Sequence, residues 1–293
     1  NMITNKEPLV SIIMNCYNGE KYVYEAINSV LSQTYTNWEL IFWDNLSTDK
    51  SKDVFFNFND IRLKYKLSDN HTNLSEARIK AIKKSQGSLI AFLDVDDFWH
   101  KDKLEKQVSL FNDKDIMFSC TSCKVIYENS NKRLDIEPPR SLSGQVFNEL
   151  LENYFVVLSS LMIRQYAYNA TGGFSKKYHI IGDFDLVTKL ALHGRCGIAH
   201  EFLTYNRKHD NNESIIKSNI HSQELLEWKQ CNVELLNTAN QNSRDKLIKN
   251  IEFSCIVNDI NKKNVSIDTI RMCIRQKPLN ILKAIFHFLN KYV

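Results

Sequence analysis

Three carboxylates stand within four residues at Asp94-Val95-Asp96-Asp97, directly after the apolar run Leu89-Ile90-Ala91-Phe92-Leu93. Packed that closely they repel one another, and without a counter-charge at least one should hold a proton more tightly than an ordinary carboxyl. A bound divalent cation removes the repulsion. Oxygen ligands select a hard ion, Mn²⁺ or Mg²⁺, which keeps open positions for the phosphate oxygens of a substrate. A plainer reading, acids gathered at a helix start, accounts for one aspartate and not for three.

No glycine loop of the GxxxxGK[ST] or GxGxxG type is present to cradle phosphates. A nucleotide would instead be held by a cation on its phosphates and by side chains on its base and ribose. Tyr17 can stack on a base, with Asn18 beside it. Asp44 can accept a hydrogen bond from a base N–H, and Asp96 from ribose hydroxyls. Arg78 can lie near the base or the diphosphate. Each also has a humbler use: Tyr17 as core, Asp44 as a cap for the next helix, Arg78 as a solvated helix residue. Their shared position at strand ends favours binding.

The elements that would position these residues alternate. Leu9 to Met14 is a short apolar run suited to a buried parallel strand, followed by the turn-forming Asn15 to Gly19. Tyr22, Val23, Ala26, Ile27, Val30 and Leu31 recur at helical spacing. Trp38 to Trp43 predicts a second strand, Thr48 to Phe58 a second helix, and Ile61 to Leu67 a third strand. Ser75 to Ser85 predicts a third helix with Gly87 as its stop, and Leu89 to Leu93 a fourth strand. Repeated βα units imply an α/β, doubly wound, mostly parallel sheet, whose ligands bind outside the carboxyl ends of the strands. Later strand-like runs lie at Cys123 to Tyr127 and Val156 to Ile163. Pro138-Pro139 marks a loop, Gly172-Gly173-Phe174 a turn, and the chain from about Ser218 is helical in character.

Taken in order, three stretches resemble the family 2 inverting glycosyltransferases. PLVSIIMNCYNGEKYVYEAINSVLSQTYTNWELIFWDNLSTD is similar to the family's opening. NLSEARIKAIKKSQGSLIAFLDVDDFWHKDKLEKQ is similar to its middle, and NATGGFSKKYHIIGDFDLVTKLALHG to its acceptor-side segment. The resemblance runs from about Pro8 to Ser214. It implies a GT-A fold with a catalytic domain over 1–215, a donor-binding half over about 1–115 and an acceptor half over about 116–215. A helical extension over 216–293 completes the chain. It further implies a nucleotide-sugar donor, UDP-linked, and a divalent metal. By matching positions Tyr17 and Asp44 hold the base and Asp96 the ribose side, with Asp94 also donor-binding, and Asp97 together with Asp96 the metal. His209, in Tyr205 to Ser214, lies where the family places a loop near the diphosphate, within reach of metal or phosphate. Asp183 matches the catalytic base, which takes the acceptor hydroxyl's proton as that oxygen attacks the anomeric carbon. Asp185 is its rival, about 200° away around a helix, so only one of the two can face the site. Two departures stand out. Gly182 replaces the usual Glu before Asp183, and Asn45-Leu46 replaces the usual Asp-Gly after Asp44.

The chain's 293 residues include 38 basic and 34 acidic side chains, a net charge of +4, which is too weak for a nucleic-acid binder. Seven cysteines cannot all pair, and Cys120-Thr-Ser-Cys123 has no second pair at zinc spacing, so a reducing compartment is expected. No apolar stretch nears the ~20 residues of a membrane span, and the expected location is the cytoplasm. Basic and apolar residues alternate from Arg271 to Lys291 as on an amphipathic helix. That helix suits either the inner face of an anionic membrane or packing on protein, a second copy of the chain included. A lipid-linked saccharide acceptor, as in bacterial surface-polysaccharide assembly, would suit the membrane use. Two rival readings fit the same residues: a nucleotidyltransferase acting on a sugar phosphate, and a catalytically silent nucleotide-sugar binder, the latter motivated by Gly182.

Overall fold

The computed structural model describes residues 7–140 and 144–261. The amphipathic stretch expected between Arg271 and Lys291 lies outside the described residues. Contacts divide the chain into two units, one of 1–146 with 155–209, the other of 147–154 with 210–293.

The first unit is built on βα repeats. Strand β1 (Val10–Cys16) leads to helix α1 (Val23–Leu31), β2 (Trp38–Asp44) to α2 (Ser51–Phe56), and β3 (Leu63–Leu67) to α3 (Leu74–Ile82), followed by β4 (Leu89–Phe92). A short β5 (Phe98–Trp99) and α4 (Lys103–Leu110) come next. Then follow β6 (Ile116–Tyr127), β7 (Arg133–Ile136), α5 (Phe147–Glu152), which belongs to the second unit, and β8 (Met162–Arg164). The order ends with α6 (Gln165–Ala170), α7 (Gly182–His193) and β9 (Arg195–Lys208). Among the described residues these strands form one nine-stranded sheet in the order β3-β2-β1-β4-β8-β6-β9-β5, with β7 paired to β6. The half made of β3, β2, β1 and β4 is parallel, as the repeated βα units require. The other half is mixed: β8 runs antiparallel to β4 and β6, while β6 and β9 pair in parallel.

Residues of β1, β2 and β4 are buried on both faces, which explains why they read as unbroken apolar runs. Val10, Ile12, Met14, Leu40, Phe42, Leu89 and Ala91 share one core with Val23, Ala26, Ile27 and Val30 of α1. The order 3-2-1-4 reverses between β1 and β4. A crevice therefore opens at the carboxyl ends of those two strands, flanked by the residues after Cys16 and after Phe92.

Two local expectations change. Helix α3 ends at Ile82 with Lys83 as its cap, so Gly87 does not stop it. A Cβ on Gly87 would lie 2.6 Å from the Leu9 carbonyl and the Ser11 nitrogen, so glycine is needed there to let β4 start against β1. The run from Val156 to Ile163 is not one strand. A 3₁₀ turn at Leu158–Ser160 interrupts it, and only Met162–Arg164 joins the sheet.

The second unit is helical among its described residues, with α5, α8 (Glu213–Ile216), α9 (Ser218–Cys231), α10 (Val233–Thr238) and α11 (Gln241–Asn261). Glu152 at the end of α5 accepts from Asn242, Ser243 and Lys246 of α11. Among the described residues no helix is long and apolar enough to cross a membrane.

Candidate functional site

The loop after β4 carries the three aspartates, and the structure gives each a different partner. Asp94 accepts from Arg78 Nη2 at 2.9 Å, and the Arg78 guanidinium, buried, stands over the Phe174 ring. Asp96 Oδ2 lies 3.1 Å from His209 Nε2. Asp97, expected as a metal ligand, is instead turned into the protein and buried. Its Oδ1 accepts from the Arg207 backbone N–H at 2.9 Å and its Oδ2 from Ser159 Oγ at 2.5 Å. Asn206 Nδ2 donates to both oxygens at 3.0 Å. Burial, with Asp96 and Asp94 adding to it, pushes the Asp97 carboxyl well above the usual carboxylate range. The repulsion expected of the triplet thus falls on its most enclosed member.

His209 sits just past β9 and packs on the Tyr22 ring, with centroids 4.9 Å apart and planes 23° from parallel. Tyr22 in turn donates its hydroxyl to Glu128 at 3.0 Å. Arg207 reaches Glu25 at 2.6 Å and stands over the Tyr22 and Phe98 rings. A carboxylate oxygen and an imidazole nitrogen 3.1 Å apart fit one cation. An octahedral ion with ligands about 2.1 Å away holds neighbouring ligands about 3.0 Å apart. The mixed oxygen and nitrogen pair suits Mn²⁺ better than Mg²⁺.

On the other flank of the crevice Tyr17 is exposed and meets the exposed His71 ring at 4.3 Å. Asn45 fixes His71 in place: its carbonyl oxygen lies 3.0 Å from His71 Nδ1, and its side chain bonds Thr72 on both sides. Asn18 and Asp44 are closer to structural than their sequence position suggests. Asn18, at φ 53°, accepts from the Thr48 backbone N–H and so ties the loop after β1 to the loop after β2. Asp44 is buried and accepts from the Ser47 N–H at 2.7 Å and from the Tyr65 hydroxyl at 2.5 Å. Leu46, which takes the place of a glycine, keeps a left-handed backbone at φ 67°.

Residues 11–172 match Glycosyl transferase family 2. The chain belongs to that family. Among family relatives it is 38% identical over 145 residues to the Escherichia coli UDP-Glc:alpha-D-GlcNAc-diphosphoundecaprenol beta-1,3-glucosyltransferase WfgD, covering 50% of this chain and 56% of WfgD. It is 34% identical over 165 residues to TuaG of Bacillus subtilis (strain 168), a candidate glycosyltransferase of teichuronic acid biosynthesis, covering 55% of this chain and 64% of TuaG. The chain thus spans less than two thirds of the length of these relatives. In three dimensions it resembles S. aureus TarS 1-349 solved with UDP-GlcNAc, with a TM-score of 0.64 and 16% identity over 91% of this chain and 78% of that one. The shared fold is GT-A.

Within this family 2 chain, the acceptor-side segment is fastened to α3. Leu74 N–H donates to His179 Nδ1 at 3.1 Å, Asn73 Nδ2 donates to the Lys176 carbonyl at 2.9 Å, and Phe174 meets Phe92 of β4 edge-on at 5.5 Å. Gly182 packs closely on α3: a Cβ there would lie 2.2 Å from Ser75 Oγ, so a larger residue requires that hydroxyl to turn away. Helix α3 therefore carries Arg78 on the aspartate side and anchors the segment that ends in Asp183. Of the two rival carboxylates, Asp185 is buried and bonded to Lys189 at 2.7 Å, whereas Asp183 is half-buried in the first turn of α7.

Sequence reasoning missed Tyr22, His71, Ser159 and Asn206. A usable signal existed for Ser159: the Ser159-Ser160 pair interrupts the apolar run from Val156 to Ile163. Cys120 and Cys123 are buried thiols. Cys120 Sγ lies 4.0 Å from Cys196 Sγ, and burial pushes Cys123 up to about 12.

Proposed function

We propose that this chain is a metal-dependent inverting glycosyltransferase. It moves a sugar from a UDP-linked donor to a saccharide or lipid-linked saccharide acceptor in surface-polysaccharide assembly. The observation that carries this reading is the convergence of Asp94 with Arg78, and of Asp96 with His209, beside the point where the parallel strand order reverses. The name of WfgD supports the donor and acceptor classes, and that of TuaG the setting in surface-polymer biosynthesis. Asp96 and His209 would hold Mn²⁺, and the ion, when bound, offsets charge building on the departing diphosphate. Tyr17 and His71 flank the base, Arg78 reaches the diphosphate side, and the buried Asp44 fixes the loop beneath the base. Asp183, in the first turn of α7, accepts the proton of the acceptor hydroxyl. An acceptor of the lipid-linked kind resides in a membrane, and the basic stretch from Arg271 to Lys291 carries charge suited to an anionic lipid surface.

The test is a transfer assay with UDP-, GDP- and dTDP-sugars, lipid-linked acceptors and Mn²⁺, with the anomeric configuration of the product read by NMR. Release of UDP with inversion, abolished by EDTA, is expected. Release of pyrophosphate would instead mark a nucleotidyltransferase. Tight donor binding with no transfer to any acceptor would mark a silent binder.

A further inference from the structure

The geometry points to Asp97 as a positioning residue, a buried clamp that sets the distance between Asp96 and His209 without itself touching the cation. This inference rests on the metal-dependent reading above. Three distant chain segments meet on the Asp97 carboxylate: the loop after β4, the 3₁₀ turn through Ser159, and the end of β9 through Asn206 and the Arg207 N–H. Asp97 directly follows Asp96, and Arg207 lies two residues before His209. The clamp therefore joins the backbones that carry the two candidate ligands. Ser159 doubles the link, since its hydroxyl also accepts from the Asp94 N–H at 3.0 Å, and its carbonyl accepts from Trp99 Nε1 at 2.7 Å. Both Asp97 oxygens are engaged by protein donors, and the residue is 1% exposed. A cation bound to Asp97 would have to displace these bonds in a closed interior, where each donor left without a partner is costly.

The role is separable from ligation because Ser159 and Asn206 hold Asp97 and lie outside the Asp96–His209 pair. Two measurements on the full chain test it. The first is Mn²⁺ binding in the presence of UDP, by calorimetry or by loss of the free-ion EPR signal. The second is amide hydrogen exchange at residues 206–209 in EDTA, which needs no metal. S159A and N206A should weaken Mn²⁺ binding about 10-fold, in line with other residues that orient metal ligands, and should speed exchange at 206–209. D97N, which keeps the shape and one of the two accepting oxygens, should retain measurable Mn²⁺ binding, whereas D96N and H209A should lose it while leaving exchange at 206–209 slow. The clamp is overturned if S159A and N206A match wild type in both measurements, or if D97N loses Mn²⁺ as completely as D96N does while exchange stays slow. If wild type binds no Mn²⁺ at all, the metal reading fails, and the exchange data alone decide whether Asp97 joins the two segments.

Discussion

Asp183 and Asp185 stand two positions apart in sequence, on different sides of α7, and their surroundings differ. Because Asp185 is committed to Lys189 inside the protein, D183N should lower kcat by at least about 100-fold with UDP affinity unchanged. D185N should leave Lys189 without its carboxylate, lowering the melting temperature and sparing the chemistry. Steady-state kinetics beside calorimetric UDP titration separates the two. Lys103 presents a second contrast. It is fully buried, donates to Gln107 Oε1 at 2.5 Å and stands over the Trp99 ring at 4.0 Å, and burial holds its amine well below the usual lysine range. The unfolded chain titrates near pH 10.4, so below that the unfolded state binds the extra proton and the fold is penalised. The stability of K103M relative to wild type should therefore be greatest near pH 7 and should fall as pH rises toward about 10.4. Urea unfolding at pH 7 and 10 measures it. The carboxylate triplet was legible from residue types alone. Which member faces solvent was not, because the donors that enclose Asp97 come from positions 159 and 206–207, and nothing in the triplet announces them.

The parallel half of the sheet was legible because strands buried on both faces have nowhere to put polar side chains. Their exceptions are informative. Glu39 lies in the middle of that half and is almost fully buried. Burial alone would raise its carboxyl, but Lys64, Ser11 and the Gln86 N–H outweigh burial and hold it below the ordinary range. A depressed folded value contributes stability that is complete above the unfolded pKa, about 4.3, and is lost as pH falls through the folded one. The stability difference between wild type and E39Q should shrink on acidification from pH 6 to 3, as denaturant titrations would show. The loop after β2 holds the opposite kind of exception. Leu46 is strained at φ 67° and only partly covered, so L46G should stabilise the chain by about 1 kcal/mol, raising the melting temperature by about 2–4 °C in a calorimetric scan. The mixed half of the sheet was poorly legible. Strand β8 has three residues, and the apolar run before it is bent by Ser159, whose hydroxyl serves Asp97 and the Asp94 N–H instead of a ladder.

Taken together, the crevice at the strand-order reversal should behave as one binding site. UDP with Mn²⁺ should raise the melting temperature more than either alone, because a ligand bound only to the fold stabilises by mass action. H209A should remove the Mn²⁺-dependent part and leave the rest, as fluorescence melting would report. Membership of glycosyl transferase family 2 and the GT-A fold were both legible in the ordered motifs. The acceptor was not, since specificity rests on pocket shape and not on fold. One feature reaches beyond catalysis. The family match stops at residue 172, yet Asp97 closes onto Asn206 across 109 positions, and Asp183 and His209 also lie beyond that limit. A nascent chain synthesised only as far as β8 contains Arg78 and Ser159 but not Asn206, Arg207 or His209. Completion of the cluster must wait for β9, the last strand in chain order among the described residues, which gives the aspartate motif its counterpart.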